Sequence, residues 1–319
     1  MRYALLALLL LGFGAGEAIA FDCAKAQRDD EKAICADAKL KALDDAMSDA
    51  YRDSMARLGP REKEALRLSQ RIWLDGRKNC GGDGQCLDLR ISDRLRALRP
   101  QAASGPGGIE LVAWFFAQKG DRAHWKIDVS AFKFASPQHS RALDAYLAKL
   151  MAELPLGPIP EDEQMPEAPP YEHFQDLRVN YLSRRFISIE DSVYVYSGGA
   201  HGNYGSQFLN IDLERDREVT FRDMFRKGSE GALIQACQDR IQAERAERNQ
   251  DDGEGWDYRP VVIEKLGNLQ NWRFQADAAS VYFAPYEVGS YAEGEYECRL
   301  PLSFLRPFLQ PQNAWIASP

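Results

Sequence analysis

Residues 101–108, with the sequence QAASGPGG, separate two stretches of the chain that follow different hydrophobic patterns. Small residues, a proline and three glycines favour a flexible, turn-rich connection. We therefore predict a linker over residues 100–109 that joins one domain, residues 21–99, to another, residues 110–319. Each stretch is long enough to bury a core of its own.

On the N-terminal side of the linker, apolar residues recur at helical spacing. Steps of three and four residues connect Leu40, Leu43, Met47, Tyr51, Met55 and Leu58. Gly59-Pro60 ends this run, a second helix is predicted around Ile72 and Trp73, and a third is predicted from Cys86 to Leu98. The short connections imply antiparallel packing, so the pattern predicts a small all-α domain.

On the C-terminal side, the pattern changes to strands interrupted by a few helices. Strands are predicted at residues 109–116, 125–134, 174–182, 185–196, 206–212, 272–274, 280–283 and 295–300. Helices are predicted at residues 140–154, at 221–248 with a break near Gly228, and at 302–309. This mixture predicts an α+β domain with a mainly antiparallel sheet.

The first twenty residues have the pattern of a secretory signal peptide. Arg2 precedes an apolar run over residues 4–16, and Ala18-Ile19-Ala20 offers a small-x-small cleavage site. We expect cleavage near Ala20 and a periplasmic or secreted product, with no membrane span in the mature chain because no later stretch reaches roughly 20 apolar residues. Cys23 follows Asp22 rather than a small residue, which argues against lipid attachment.

Six cysteines in an exported chain indicate disulfides. Four of them precede residue 90 and two follow residue 230, which predicts two bridges in the first domain and one, Cys237–Cys298, in the second. Antiparallel helices favour Cys35–Cys80 and Cys23–Cys86. The cysteine spacing matches no common zinc site, so neither a metal nor a cofactor is predicted.

The charge is divided unevenly between the two domains. The chain carries a net charge of −8, made up of +2 over residues 21–99 and −10 over residues 100–319. Such a field repels nucleic acid and attracts a cationic partner, although simple solubility explains it equally well. The acidic segments 161–163 and 251–254 fit steering of a basic protein or ordinary solvated loops.

The first domain resembles the N-terminal domain of the LprI-type lysozyme inhibitors over residues 21–98. The matching positions are Cys23, Glu31, Ala33-Ile34-Cys35, Leu40, Leu43-Asp44, Tyr51, Gln70, Trp73-Leu74, Arg77, Cys80 and Cys86-Leu87. The resemblance implies lysozyme inhibition. The family also includes domains of unknown function.

The second domain resembles the extracytoplasmic domain of RsiV, an anti-sigma factor that binds lysozyme, which also occurs beside peptidoglycan deacetylases. The matching segments are SGGAHG at 197–202, FLNID at 208–212, FRDMF at 221–225, FAPYE at 283–287 and YAEG at 291–294. The resemblance implies binding in the cell envelope, and both resemblances name lysozyme, a cationic glycoside hydrolase, as a partner.

An inhibitor must meet a cleft that holds two carboxylates, so it needs a protruding loop with hydrogen-bond donors. Two segments supply candidates, a glycine-rich turn at residues 197–204 and a tyrosine-rich stretch at 285–291. The candidate contact residues are Ser197, His201, Asn203, Tyr204, Tyr286, Glu287 and Tyr291. Two other interpretations stay open: His201 bonds only to a neighbouring strand in a hairpin, and the tyrosines cap a sheet edge.

No catalytic motif stands out in the sequence. The histidines at 124, 139, 173 and 201 lack His-Glu-x-x-His spacing, and no Gly-x-Ser-x-Gly occurs. Ser130 and Lys133 form a Ser-x-x-Lys pattern, but residues three apart on a strand face opposite ways. We predict a non-catalytic binding protein. The alternatives are a peptidoglycan or muropeptide binder without a lysozyme target, and an envelope hydrolase with a carboxylate pair that no motif reveals.

Overall fold

The structure is a computed structural model, and it describes residues 22–100, 109–120, 125–136, 141–154, 170–248 and 257–313. Residues 22–100 form the helical region, and the described residues from 109 onward form the sheet region. The helical region contains α1 (Asp29–Ala36), α2 (Ala38–Arg57), α3 (Pro60–Arg77) and α4 (Gly84–Leu98). The all-α prediction is confirmed, with one helix more than the periodicity indicated.

Helix α1 was missed because charged residues, rather than an apolar stripe, hold it in place. The side chain of Glu31 accepts hydrogen bonds from the backbone amides of Gln27 and Arg28 at 2.9 and 3.0 Å, which satisfies free amides at the start of the helix. Ile34 is its buried apolar residue, and Asp30 is buried beside it. A search for apolar periodicity therefore overlooks this helix.

The presence of α1 overturns the predicted disulfide pairing in the helical region. The bridges are Cys23–Cys35 and Cys80–Cys86, not Cys35–Cys80 and Cys23–Cys86. Cys23 lies in a short 3-10 helix before α1 and Cys35 lies in the last turn of α1, so this bridge closes the N-terminal loop onto its own helix. Cys80 and Cys86 bracket the turn between α3 and α4. Each bridge is local in sequence.

A buried arginine connects three helices of this region. Arg77, at the end of α3, donates to Asp30 on α1 at 2.9 Å and to Asp44 on α2 at 3.0 Å. All three side chains are almost completely buried. The apolar core around them also includes Ala113 and Phe115 from the first strand of the sheet region. The two regions thus share part of one core.

The sheet region is built on a six-stranded sheet in the order β1-β2-β3-β4-β5-β6. Its strands are β1 (Leu111–Lys119), β2 (Trp125–Phe134), β3 (Tyr171–Leu182), β4 (Phe186–Tyr196), β5 (Asn203–Asp212) and the two-residue β6 (Arg217–Glu218). All neighbours are antiparallel except β2 and β3, which are parallel. The crossover between these two strands contains α5 (Arg141–Glu153), as a parallel connection requires.

Helix α5 covers one face of this sheet. Its buried leucines, Leu143, Leu147 and Leu150, pack in one core with sheet residues such as Ile127 and Ile189. The spacing of three and four residues between the leucines places them on one side of the helix. The opposite face of the sheet meets α3 and α4 at one end and a second sheet at the other.

The second sheet has three antiparallel strands, β7 (Trp272–Phe274), β8 (Ala278–Phe283) and β9 (Tyr296–Pro301). The amide of Asn210 on β5 ties it to the first sheet by donating to the carbonyls of Leu269 and Trp272 at 2.8 and 2.9 Å. The surrounding helices are α6 (Phe221–Met224), α7 (Glu230–Glu247), α8 (Arg259–Gly267) and α9 (Leu302–Leu305). The α+β prediction with a mainly antiparallel arrangement is confirmed.

Two details of the sheet region agree with the predictions made from the sequence. The predicted break between α6 and α7 lies at Gly228, whose φ of 87° favours glycine. The predicted bridge Cys237–Cys298 connects α7 to β9 and is completely buried. Helix α8 and strand β6 had no counterpart in the prediction.

Several expectations concern residues outside those that the structure describes. These are the signal peptide at 1–20, most of the linker, the histidines at 124 and 139, and the acidic segments 161–163 and 251–254. None of the helices in the described part of the chain combines the length and apolar character needed to cross a bilayer.

Candidate functional site

The glycine-rich turn joins β4 to β5 as a hairpin loop over residues 197–202. Gly198 and Gly199 have φ values of 96° and 99°, in the left-handed range that residues with a Cβ rarely adopt. The hydroxyl of Tyr196 donates to the carbonyl of Gly199 at 2.9 Å and fixes the loop to the strand before it. The glycines therefore set the path of the loop.

Gly202 closes this loop against the sheet. A Cβ at Gly202 would lie 2.4 Å from the ring of Tyr194, so only glycine lets the loop pack this tightly. Tyr194 in turn stacks on Phe174 of β3, with the ring centroids 6.1 Å apart. The hairpin loop thus rests on an aromatic support supplied by two strands.

The tyrosine-rich stretch lies in the loop between β8 and β9. Helix α7 fixes the conformation of this loop through Arg245. This arginine forms a buried ion pair with Glu293 at 2.7 Å and donates to the carbonyl of Val288 at 2.9 Å. Burial opposes ionisation of Glu293, but hydrogen bonds from Tyr296 and Ser290 and the charge of Arg245 together lower its pKa. This carboxylate is therefore an anion that fixes the loop.

The two loops meet directly, although they lie far apart in sequence. The ring of His201 stacks on the ring of Tyr291, with centroids 3.8 Å apart and planes 18° from parallel. The hydroxyl of Tyr291 donates to the carbonyl of Gly202 at 2.7 Å, and Nδ1 of His201 donates to the same carbonyl at 3.0 Å. Both rings are consequently pinned to one backbone oxygen.

Two further tyrosines complete this assembly. Tyr204 meets the ring of Tyr291 edge to face at 5.9 Å, and Tyr286 lies 5.5 Å from Tyr291. We call His201, Tyr204, Tyr286 and Tyr291 the aromatic cluster. Tyr286 is 62% exposed and Tyr204 38% exposed, unlike most large apolar side chains of the protein. Exposed aromatic residues on a rigid base are typical of protein interfaces.

The hydroxyl of Tyr204 is suited to donate a hydrogen bond to a partner. Burial, the neighbouring Glu295 carboxylate and Tyr291 raise the pKa of Tyr204. The phenol therefore keeps its proton at neutral pH, when a carboxylate of a partner would be ionised and able to accept.

The seven predicted contact residues have different surroundings. His201, Tyr204, Tyr286 and Tyr291 come together in the aromatic cluster, whereas Ser197 and Asn203 lie exposed on the same hairpin without joining it. The carboxylate of Glu287 points into its own loop, where it accepts from the amide of Ala284 at 2.8 Å and pairs with Lys265. Of the seven, Glu287 therefore has a structural role in the loop.

Sequence reasoning missed the residues that support the cluster. Tyr194, Tyr196, Arg245 and Glu293 hold the two loops in place. The two tyrosines lie in the strand predicted at 185–196 and Glu293 lies in the YAEG segment, but nothing in the sequence indicated a supporting role for any of the four. Arg245 and Glu293 lie 48 residues apart and share no motif.

The Ser-x-x-Lys pair does not form a catalytic site. Ser130 lines a cleft beneath the helical region, while Lys133 lies 5.4 Å over the ring of Trp114, in a cavity beside α5. In the described part of the chain, no group of three or more histidine, cysteine or acidic residues is arranged to hold a metal ion.

Three family models match separate parts of the chain. Residues 23–100 match lysozyme inhibitor LprI, residues 138–204 match deacetylase PdaC, and residues 222–303 match a family of unknown function, DUF3298. The hairpin loop lies within the second match and the loop with Tyr286 and Tyr291 within the third. No curated protein matches the chain.

One solved structure is similar in fold to about two thirds of this chain, and a second was also found. A DUF3298 family protein from Bacteroides fragilis NCTC 9343 is 16% identical, with a TM-score of 0.51, and the match covers 66% of this chain and 96% of that one. A DUF3298 family protein from Pseudomonas aeruginosa PAO1 is 19% identical, with a TM-score of 0.48 and coverage of 66% and 97%. The chain thus carries a region similar to lysozyme inhibitor LprI, followed by regions similar to PdaC and to DUF3298.

Proposed function

We propose that this protein is an exported, non-catalytic envelope protein that binds lysozyme through the aromatic cluster, inhibits it and so protects peptidoglycan. The observation that carries the proposal is the meeting of two loops, 89 residues apart, in one rigid and exposed aromatic surface. Rings that are already pinned lose little conformational freedom on binding, which favours tight association.

The chemistry of the surface suits the cleft of a glycoside hydrolase. Such a cleft presents two carboxyl groups on either side of the glycosidic bond that is cleaved. The cluster offers the protonated hydroxyl of Tyr204 and the exposed ring of Tyr286. The net charge of −10 over residues 100–319 would accelerate encounter with a cationic enzyme.

The family match of the N-terminal region also supports lysozyme as the partner. The helical region is similar to lysozyme inhibitor LprI over residues 23–100, so we propose that it adds a second contact to lysozyme or binds another envelope ligand. We also propose the division into domains at residues 21–99 and 110–319, with cleavage near Ala20. The three disulfides fit an oxidising compartment. N-terminal sequencing of the exported protein would test the cleavage site.

The deciding experiment is a titration of cell-wall lysis by a chicken-type lysozyme with the oxidised, mature protein. We expect activity to fall linearly to an equivalence point, as stoichiometric inhibition requires. Unchanged lysis at large excess would contradict inhibition of this lysozyme type.

Point variants locate the surface. Tyr286→Ala is expected to weaken lysozyme binding by about 2 kcal/mol, or about thirtyfold, because exposed tyrosines commonly dominate interfaces. Ile263→Ala is the matched control, since Ile263 is 46% exposed on α8 outside the cluster. Leu89→Ala, at a position 60% exposed on α4, tests a contact by the helical region. Equal affinity of Tyr286→Ala and the native protein would remove the cluster from the interface.

Two other functions predict different outcomes. A peptidoglycan or muropeptide binder without a lysozyme target would sediment with purified cell wall and leave lysozyme activity unchanged. A hydrolase or deacetylase would release soluble sugar or acetate from purified wall without any other enzyme. We expect neither product from this protein alone.

A further inference from the structure

An open cleft lies between α5 and the part of the large sheet that carries β3 to β6. Its volume is about 760 Å³, within the range of ordinary ligand sites. We call it the α5 cleft. Helix α5 forms one wall, and the strands form the floor. None of the four residues of the aromatic cluster lines this cleft, so the two surfaces are separate.

The floor of the α5 cleft contains a buried carboxylate whose neighbours are neutral. Asp191 on β4 accepts hydrogen bonds from the hydroxyl of Tyr146 and from the side-chain amides of Gln175 and Gln207, the last two at 2.8 and 3.4 Å. It donates to none of them, which is the pattern of an ionised carboxylate. Burial raises the pKa of Asp191, and these hydrogen bonds oppose the rise. Among the described residues, no arginine or lysine pairs with Asp191, so the fold leaves its charge without a cation.

The arginines and the lysine that line the α5 cleft already have carboxylate partners. The pairs are Arg141 with Asp216 at 2.8 Å, Arg217 with Asp223 at 2.8 Å and Lys149 with Glu153 at 3.9 Å. Glu218 also lines the cleft, and it has no ion-pair partner in the part of the chain that the structure describes. Two negative charges, those of Asp191 and Glu218, therefore stay without a cation. The cleft complements a ligand with two positive charges.

The two charges lie at different points along the cleft. Glu218 on β6 pairs with Ile211 of β5, and Asp191 on β4 pairs with Gln207 of β5. The four residues of strand from Gln207 to Ile211 span about 13 Å. A ligand that meets both charges must therefore carry its own two charges well apart.

Groups at the surface of the cleft are open to such a ligand, although Asp191 itself is buried. Gln207 is exposed, and its amide nitrogen donates to the hydroxyl of Tyr146 at 2.9 Å, which leaves its carbonyl oxygen as an acceptor next to Asp191. Glu218 is exposed as well. The wall supplied by α5 includes Ala142 and Ala145, whose small side chains offer an apolar surface. An acceptor beside a buried charge, an apolar wall and an exposed carboxylate thus occur in one cleft.

We infer that the α5 cleft binds a linear aliphatic diamine or polyamine. One ammonium group would donate to the carbonyl oxygen of Gln207, where the charge of Asp191 attracts it through a poorly screened environment. A second ammonium group would pair with the carboxylate of Glu218, and the alkyl chain between them would lie along Ala142 and Ala145. The net charge of −10 over residues 100–319 favours the approach of any such cation. This inference does not depend on lysozyme binding.

The test is calorimetric titration of the mature, oxidised protein, without lysozyme, with 1,8-diaminooctane. Two matched compounds separate length from charge: 1,3-diaminopropane has the same two charges on a chain too short to reach both groups, and octylamine has the same chain with one charge. We expect each to bind about tenfold more weakly, because each loses one charge-assisted contact. Absence of binding by 1,8-diaminooctane would overturn the inference. Equal affinity for the two diamines would also overturn it, since general attraction to an acidic protein ignores chain length.

Variants then assign the site. Glu218→Gln and Asp191→Asn should each weaken binding of 1,8-diaminooctane about tenfold, while Glu230→Gln, at an exposed position on α7 outside the cleft, should leave it unchanged. Far-UV circular dichroism checks that each variant is folded. Ala145→Phe fills the cleft from an exposed position on α5 and replaces Asp191→Asn if the latter does not fold. Unchanged affinity in Glu218→Gln and Ala145→Phe would place the diamine elsewhere. Inhibition of lysozyme by Glu218→Gln should match that of the native protein, so the two proposals can fail separately.

Discussion

The helical region and the sheet region reach a stable fold by different means. The sheet region has two extended apolar cores and one disulfide that spans 61 residues. The helical region has a small core, two disulfides that span 12 and 6 residues, and a buried arginine between two carboxylates. A region of this length can bury only a small apolar core. In the helical region, local cross-links and buried ion pairs accompany that core.

The same difference affects which side chains are left free of a role in the fold. In the sheet region the apolar cores hold the strands, which leaves two loops free to present the aromatic cluster at one edge. In the helical region the polar side chains of Arg77, Asp30 and Asp44 are used for the fold itself.

The largest effect is expected from Arg77→Met. The change leaves the buried carboxylate of Asp44 without its ion-pair partner, while Asp30 keeps only its pair with Arg28, and this should lower the free energy of unfolding by about 3–5 kcal/mol. Urea unfolding measures the loss, and amide hydrogen exchange should show that the helices open before the sheet. Arg99→Met is the control, because Arg99 is half exposed in its pair with Asp53. A loss below 1 kcal/mol in Arg77→Met would show that the arginine is not central to the helical region.

The disulfides should stabilise the fold by different amounts, with the larger amount for the bridge that closes the longer loop. Replacing Cys237 and Cys298 by alanine is expected to cost about 4 kcal/mol, against about 2 kcal/mol for Cys80 and Cys86, because the constraint on the unfolded chain grows with loop length. Thermal and urea unfolding of the two double variants make the comparison. Equal losses would mean that the short bridge in the helical region stabilises the fold by more than chain entropy.

Asp128 lies where the two regions face each other. Its titration should make the stability of the folded protein depend on pH. The raised pKa, about 6 against about 3.9 for an ordinary aspartate, means that the folded protein binds this proton more tightly than the unfolded chain. The associated stability is present below about pH 4 and is lost as the pH rises through 6, by at most about 3 kcal/mol. Asp128→Asn should abolish this decline in urea unfolding measured between pH 4 and 7.5. Parallel profiles for the two proteins would contradict the prediction.

The smallest effect on stability is expected from Gly202→Ala. The new Cβ would lie 2.4 Å from the ring of Tyr194, and relief of this contact should cost about 1–3 kcal/mol and displace the hairpin loop. Lysozyme binding should weaken, while hydrogen exchange in the helical region should not change. Gly231→Ala is the control, since a Cβ there would meet nothing within 4 Å. Unaltered lysozyme affinity in Gly202→Ala would argue that the loop geometry is unimportant.

The sequence by itself determined the class of each region, because hydrophobic periodicity is a local property of the backbone. Steps of three and four residues predicted α2 and the apolar side of α5, and alternation predicted strands such as β2 and β4. The break near Gly228 and the bridge Cys237–Cys298 were also predicted, the first from the glycine within the helical run and the second from the distribution of the cysteines.

Only the tertiary structure decided which distant groups meet. Helix α1 has too little apolar pattern to be detected, and its position changed the partner of both Cys23 and Cys35. The stacking of His201 on Tyr291 and the approach of Arg94 to Asp128 likewise depend on how strands and helices pack, since these residues lie tens of positions apart. Residue types along the chain limit what a site could be made of, whereas packing in three dimensions selects the groups that form it.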